Sequence, residues 1–236
     1  MDDISKTKGL DKSAKKHATV SIAERLLEKF EKDVGSSITD DKKLIQMYNA
    51  YDDVSKALFM LYERAEEWHS LYDQENKEQK QRLAKKLANE GGELSGFGDM
   101  LQIMEAEKNA LEKDTREQIR EAMPNFCSLV EEMMAARMLA MSGGLEKLAR
   151  MTSSSIQLLG AEKALFRHLK NRKEKPPKFG IIYSTKQVQS VSDAKKGKAA
   201  RLLAAKLMKA ARIDYYSKRI DSSLASELEK EMRKLR

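Results

Sequence analysis

The chain has one cysteine, three prolines, three histidines and 6% aromatic residues in 236 positions, and each scarcity excludes something. A single thiol, Cys127, leaves nothing for a disulfide framework and suits a reducing intracellular compartment. The histidines, His17, His69 and His168, lie far apart without cysteine or carboxylate partners at ligand spacing, so no metal site and no cofactor are expected. No apolar run reaches the roughly 18 residues a membrane span needs, and the opening MDDISKTKGL has no hydrophobic signal core. Little proline and 11 glycines, beside 35% charged residues, disfavour a β-sandwich or a dinucleotide-binding sheet and predict an all-α protein. No phosphate-cradling glycine loop, Cys/His pair or framed carboxylate pair is present, so the chain is not expected to be an enzyme.

What the sequence has in quantity is charge, unevenly spread. Residues 160–219 hold 17 Lys/Arg against 4 Asp/Glu, and the rest of the chain holds 28 against 33. The net +8 therefore averages a strongly basic segment with a mildly acidic remainder. Cations gathered in one segment point to a polyanionic partner.

Residues 1–19 read as a polar, basic tail and 20–122 as an N-terminal helix followed by a coiled-coil hairpin. Ser21 with Glu24 forms a capping box for a helix that Gly35 ends. Leu44, Met47, Tyr51, Val54, Leu58, Leu61, Ala65 and Trp68, continuing to Tyr72, alternate three and four residues apart, a heptad seam. Beyond the charged, glycine-punctuated segment 73–98, Leu101, Met104, Leu111 and Ile119 mark a second long helix, its seam interrupted by Lys108 and Thr115. Two such helices predict an antiparallel hairpin with its tip near Gly91 and Gly92. A parallel homodimeric coiled coil satisfies the same seam, and either form allows self-association.

From Pro124 the composition turns apolar. Phe126, Leu129, Val130, Met133, Met134, Met138, Leu139 and Met141 predict one dense helix ending at Gly143 and Gly144, its methionines serving as core packing. A compact domain is expected over 123–220, with 221–236 a charged C-terminal helix or tail. Within it, residues 176–183 (PPKFGIIY) read as a short strand or extended loop. A final helix over 194–216 places Lys195, Lys198, Arg201, Lys206, Lys209 and Arg212 in an arc of about 140°, with Ala199, Leu203, Leu207 and Ala210 pointing elsewhere. Such a face is either solvated or bound to a polyanion. A membrane surface suits it less, because the apolar side lacks Trp or Phe anchors.

These residues carry a resemblance. Pro124-Asn125, SGGLEKLAR at 142–150, SSSIQLLGAEKALFRHL at 153–169, PPKFGIIY at 176–183, and KGKAARLLAAKL followed by AARID resemble the Nop domain of box C/D ribonucleoprotein core proteins, the archaeal Nop subunit and its nucleolar relatives. The family's Nop domain follows an antiparallel coiled coil that pairs Nop subunits, and the heptad helix resembles its first arm. The resemblance implies a non-catalytic scaffold that recognises a kink-turn RNA already held by its kink-turn-binding protein, in guide-directed 2′-O-methylation of rRNA or tRNA. Gly160, Ala161, Glu162 and Lys163 match the GAEK motif at the RNA–protein junction, and Ala164, Leu165, Phe166 and Arg167 match the run that abuts the guide duplex. Lys178, Lys195, Lys198, Arg201 and Lys206 would add backbone contacts.

The residues also allow plainer roles: Leu165 and Phe166 as core, Glu162 as an ordinary first-turn acid. Three stretches depart from the family. Only about 40 residues precede the coil, where relatives carry a globular domain that recruits fibrillarin, so the resemblance does not extend fibrillarin recruitment to this chain. Val191-Ser192-Asp193-Ala194 and Thr152-Ser153-Ser154-Ser155 replace the usual Pro-Trp-Trp and Pro-Ala-Ser-Thr segments. A shortened paralogue and a spliceosomal-type Nop protein are the related alternatives. The expected location is the cytoplasm in an archaeon and the nucleolus in a eukaryote.

Overall fold

The computed structural model describes residues 39–71, 80–90 and 94–235. The helix expected from Ser21 and the hairpin tip expected near Gly91 and Gly92 lie outside them. Every regular element described is helical: α1 (Asp40–His69), α2 (Lys80–Glu90), α3 (Ser95–Ala122), α4 (Pro124–Cys127), α5 (Glu132–Ser142), α6 (Leu145–Arg150), α7 (Ser153–Leu158), α8 (Glu162–Lys170), a 3₁₀ turn (Ile181–Ser184), α9 (Lys186–Gln189), α10 (Asp193–Arg212), a π-helical turn (Ile213–Ser217) and α11 (Ser223–Arg233). The described residues from 41 onward belong to one compact unit.

Side chains on α1 and α3 meet in antiparallel order. Leu44 and Tyr48 join a core with Ile119 and Met123, the Tyr62 hydroxyl donates to Glu105 at 2.6 Å, and the Trp68 and Phe97 rings lie 6.1 Å apart. Of the expected seam, Leu44, Leu58 and Ala65 are buried while Met47, Tyr51, Val54, Leu61 and Trp68 are half-buried. Tyr48, Tyr62 and His69, one position on from Met47, Leu61 and Trp68, are buried as well. Such rings bury an apolar body beside a polar tip, as Tyr62 does with its hydroxyl on Glu105, so a count of aliphatic positions passes over them.

Part of the segment 73–98 that reads as charged connection is helix. α2 sends Leu83, Ala84 and Leu87 into a second core with Leu58, Tyr62, Ala65 and Leu101. At Gly98 the two backbones approach so closely that a Cβ would overlap Ala88 N. Three apolar residues at i, i+1 and i+4 form a stripe narrow enough to be hidden among lysines and glutamates.

The single apolar helix expected after Pro124 is instead two, α4 and α5, with Leu129 and Val130 buried in the link between them. The Glu131 backbone is extended there (φ −62°, ψ 145°), which ends one helix and begins the next. Arg116 and Arg120 of α3 fasten α5 through Glu131 at 3.0 Å and Glu132 at 2.6 Å. At the base of α1, the Asp41 carboxylate accepts the Leu145 N–H at 2.9 Å and so caps α6, whose own N-cap is a glycine without a side chain to do it.

The core centres on α10. Ala199, Ala200, Leu203, Ala204, Leu207, Ala210 and Ala211 are all fully buried. Alanines at these positions let neighbouring helices pack close on several sides, and α11 closes the core with Leu224, Leu228 and Met232. α10 ends at Arg212 rather than continuing regularly to 216; the π-helical turn takes over.

One buried carboxylate ties the start of this region to its end. Asp214, 3% exposed, accepts hydrogen bonds from Asn125 N at 3.1 Å, Phe126 N at 2.9 Å and Asn125 Nδ2 at 2.6 Å. It therefore satisfies the free N–H groups that open α4. Asn125 in turn donates to the Arg219 carbonyl and accepts from Asp221 N, each at 2.7 Å. Burial raises the Asp214 carboxyl above the usual range against the pull of its three donors. Cys127 beside it has its thiol pushed up to about 12, first by burial.

Candidate nucleic-acid interface

The sequence 157–163 folds as a tight turn out of α7. Gly160 has φ +86°, a left-handed conformation that glycine adopts without strain. A Cβ there would strike the Ile181 side chain. The Glu162 carboxylate turns back and accepts the Gly160 N–H at 2.7 Å, so this acid stabilises its own loop.

The PPKFGIIY segment lies against the same turn. Gly180 N donates to Gln157 O and Ile181 N to Leu159 O, each at 2.8 Å, while Gln157 Nε2 donates to Lys178 O at 2.7 Å. A Cβ on Gly180 would overlap the Leu159 carbonyl oxygen. Of the two forms expected, strand or extended loop, the strand does not form and 176–180 are irregular loop: the segment's partner is the end of a helix, which offers two acceptors and then turns away, so no ladder propagates. Instead residues 181–184 make a 3₁₀ turn, and the Phe179 and Tyr183 rings stack at 4.7 Å.

From the Gly160 turn α8 stands out from the core, with no buried residue in it. Lys163, Phe166, Arg167 and Lys170 fall within an arc of about 100°, all of them exposed. Ala164 and Leu165 are half-buried on the inner side. Phe166 is 67% exposed and Leu169 61%, so Phe166 is not a core residue. Among the described residues, no carboxylate lies within ion-pair distance of Lys163 or Arg167. An exposed ring among cations suits stacking on a base with phosphates alongside.

A second basic surface begins on the other side of the Lys178 loop. Lys178, Lys198 and Arg201 line an open groove of about 620 Å³ together with Ser154, Gln157 and Phe179. Lys195 sits half-buried in the first turn of α10. Lys206 is placed differently from the other cations: its ammonium bonds Glu227 at 2.8 Å and Glu231 at 3.1 Å, and its side chain is 16% exposed. Its charge is answered by α11, whose acidic face the α10 sequence does not reveal. Lys170 and Leu169 extend the α8 face beyond the motif. Helical spacing from Lys163 and Phe166 was sufficient to find Lys170.

These features define an all-α module whose candidate surface is a projecting basic helix and an open basic groove. The family model described as "Nop: snoRNA binding domain, fibrillarin" matches residues 42–234, and the chain belongs to the Nop family. It is 37% identical over 238 residues to an uncharacterized NOP5 family protein of Methanocaldococcus jannaschii, covering 83% of this chain and 57% of that one. Human nucleolar protein 58 is 45% identical over 106 residues, 45% of this chain and 20% of its own length. The crystal structure of a fibrillarin/Nop5p complex contains a chain similar in fold, with a TM-score of 0.65 at 25% identity over 98% of this chain and 81% of that one. The chain spans little more than half of the archaeal relative and a fifth of the nucleolar one.

Proposed function

We propose that the protein is a non-catalytic RNA-binding scaffold of a box C/D-type ribonucleoprotein, recognising a kink-turn RNA together with the protein already bound to it. The observation that carries this is α8, which has no fully buried residue and presents Phe166 on the same exposed face as Lys163, Arg167 and Lys170. A helix of this kind gains little from its own fold, and its apolar and cationic groups fit a surface that offers both a protein face and phosphates. In the proposed complex Lys163 and Arg167 contact phosphates, Phe166 stacks on a terminal base pair, and Lys178, Lys198 and Arg201 follow the RNA backbone, with Lys195 at the margin. Glu162 acts indirectly, by holding the Gly160 turn from which α8 projects. Lys206 is left out, because its ion pairs occupy it.

Likeness to a chain crystallised with fibrillarin supports a methylation context, in which fibrillarin performs the chemistry and this chain positions the RNA. The nucleolar relatives support the nucleolus as location in a eukaryote, and the archaeal one supports the cytoplasm in an archaeon.

The test is a gel-shift titration against a kink-turn RNA with and without its kink-turn-binding protein. A supershift that needs both components is expected, lost in the Lys163→Glu/Arg167→Glu double variant with helicity unchanged. Equal affinity with and without the partner protein, or survival of binding in that variant, refutes the composite surface.

A further inference from the structure

The exposed side of α10 does not end with the groove at Arg201. At 100° per residue, Lys198, Arg201, Ala205, Lys209 and Arg212 fall within an arc of about 80°, and every one is exposed. No acidic residue lies in that arc, and its four cations form two pairs, Lys198 with Arg201 and Lys209 with Arg212, at the two ends of about 21 Å of helix with Ala205 between them. The stripe runs into a second open groove of about 620 Å³ at the far end of α10, floored by Leu202, Met208 and Ile213 and edged by Lys209, Arg212 and Tyr216.

The end of that groove is built by the π-helical turn. Lys218 N donates to Ile213 O at 2.8 Å, and Lys218 takes a left-handed conformation (φ +52°), uncommon outside glycine. This turn sets Tyr216 at the rim, 62% exposed, with Tyr215 edge-on to it at 4.8 Å and 77°. A ring supported at its edge and open to solvent on a hydrogen-bonded turn has given up burial it could have gained, and it offers a flat face beside two cations. Two carboxylates stand at this groove: Glu231, part of its lining, is bonded by Lys206, and Asp221 pairs at its longest reach with Lys209, at 4.0 Å. Arg212 is held in place because its Nε donates to the Ala149 carbonyl at 3.2 Å.

We propose that this end of α10 is a second nucleotide site, where one base of an RNA strand stacks on Tyr216 and its phosphate lies on Lys209 and Arg212. Positive charge on the same helix face as the first groove, without an acid in the stripe, selects a polyanion. The open aromatic face selects one that carries bases. The inference rests on the RNA-binding reading above and extends it about five helical turns from the Lys198 end toward α11.

The experiment uses the full chain with Trp68→Phe and Tyr216→Trp, which leaves a single tryptophan at the proposed site. It is titrated at low salt with a fluorescein-labelled oligoadenylate 12-mer, reading anisotropy for binding and tryptophan emission for contact. Emission is expected to fall in step with anisotropy. In the parent chain Tyr216→Ala weakens binding about tenfold, within the usual range for one base–aromatic stack, while Tyr216→Phe preserves it. Lys209→Gln lowers the slope of log affinity against log salt by about one. Binding without quenching, or equal affinity of Tyr216→Ala and parent, overturns the second site and leaves the α8 reading standing. No RNA binding at any salt removes both. Polyglutamate quenching as strongly as RNA assigns the groove to an acidic protein segment and likewise overturns the nucleotide site.

Discussion

Replacing Asp214 with alanine removes the carboxylate that joins the opening of α4 to the π-helical turn after α10 across 89 residues of chain. Three donors lose their acceptor: Asn125 N, Phe126 N and one N–H of Asn125 Nδ2, which keeps its second bond to the Arg219 carbonyl. Each buried donor left without a partner costs about 1–3 kcal/mol. Two backbone donors and one shared amide thus set a gross loss of about 3–6 kcal/mol. Burial of the carboxylate works the other way, since it already raises the Asp214 carboxyl, and relief of that desolvation returns part of the loss. The expected net destabilisation is about 3 kcal/mol, read by urea unfolding followed by far-UV circular dichroism with the slope unchanged. Asp214→Asn keeps one acceptor oxygen and turns an amide toward a donor, so an intermediate loss is expected. Asn125→Ala combined with Asp214→Ala should fall well short of the sum of the single losses, because the two share bonds. A loss below about 1 kcal/mol for Asp214→Ala would refute the capping role and mean that water or backbone movement satisfies those donors.

Thr115 is fully buried in α3 and its hydroxyl has no hydrogen-bond partner, so Thr115→Val is expected to stabilise the fold by about 1 kcal/mol in the same urea assay. Hydrogen bonds from Arg120 hold the Glu132 carboxyl below its ordinary value of 4.5; its contribution is complete above that value and is lost as pH falls through the lower folded one. Glu132→Gln should therefore flatten the acid limb of a stability–pH profile below about pH 4.5 and leave the neutral region's slope alone. With its thiol pushed up to about 12, Cys127 should resist a thiol-specific reagent at neutral pH in the native state and react on addition of denaturant. At Gly197, inside α10 and on the wall of the Lys198 groove, a Cβ would meet nothing; Gly197→Ala is expected to raise stability by about 1 kcal/mol while weakening RNA binding in the gel shift.

The all-α class was legible in composition, and the long helices in their heptad spacing, because those signals are local. Three things were not. The α2 stripe of Leu83, Ala84 and Leu87 is too short to stand out of a charged segment, and only packing against Leu58 and Leu101 makes it a core element. The break between α4 and α5 lies in a continuous apolar run where nothing in composition marks a boundary; the extended Glu131 backbone makes it. Lys206 had the same angular claim to the basic face as Lys198, and the distinction depends on Glu227 and Glu231, more than 20 residues on, which pair with it only once α11 packs back. Helical angle places a residue on a face, but it does not tell which face a later element will cover.

The same distinction divides the residues that carry the family resemblance. Asn125 and Asp214 hold each other, Gly180 admits the Leu159 carbonyl, and Glu162 holds the Gly160 turn; all of them act inside the chain. Among the described residues, Lys163, Phe166, Arg167, Lys198 and Arg201 make no such side-chain contact, and all five are exposed. Substitutions in the first group should lower stability, and affinity only through it, whereas substitutions in the second should lower affinity at constant stability. The geometry gives the reason for keeping both in one signature: α8 has no fully buried residue and only Ala164, Leu165 and His168 half-buried, so the turn at Gly160 and the segment that closes over it do most to set its direction. A projecting helix can meet a partner at a fixed angle only if its base is rigid. The bonds at Gly160 and Gly180 supply that rigidity at the base from which the α8 cations project.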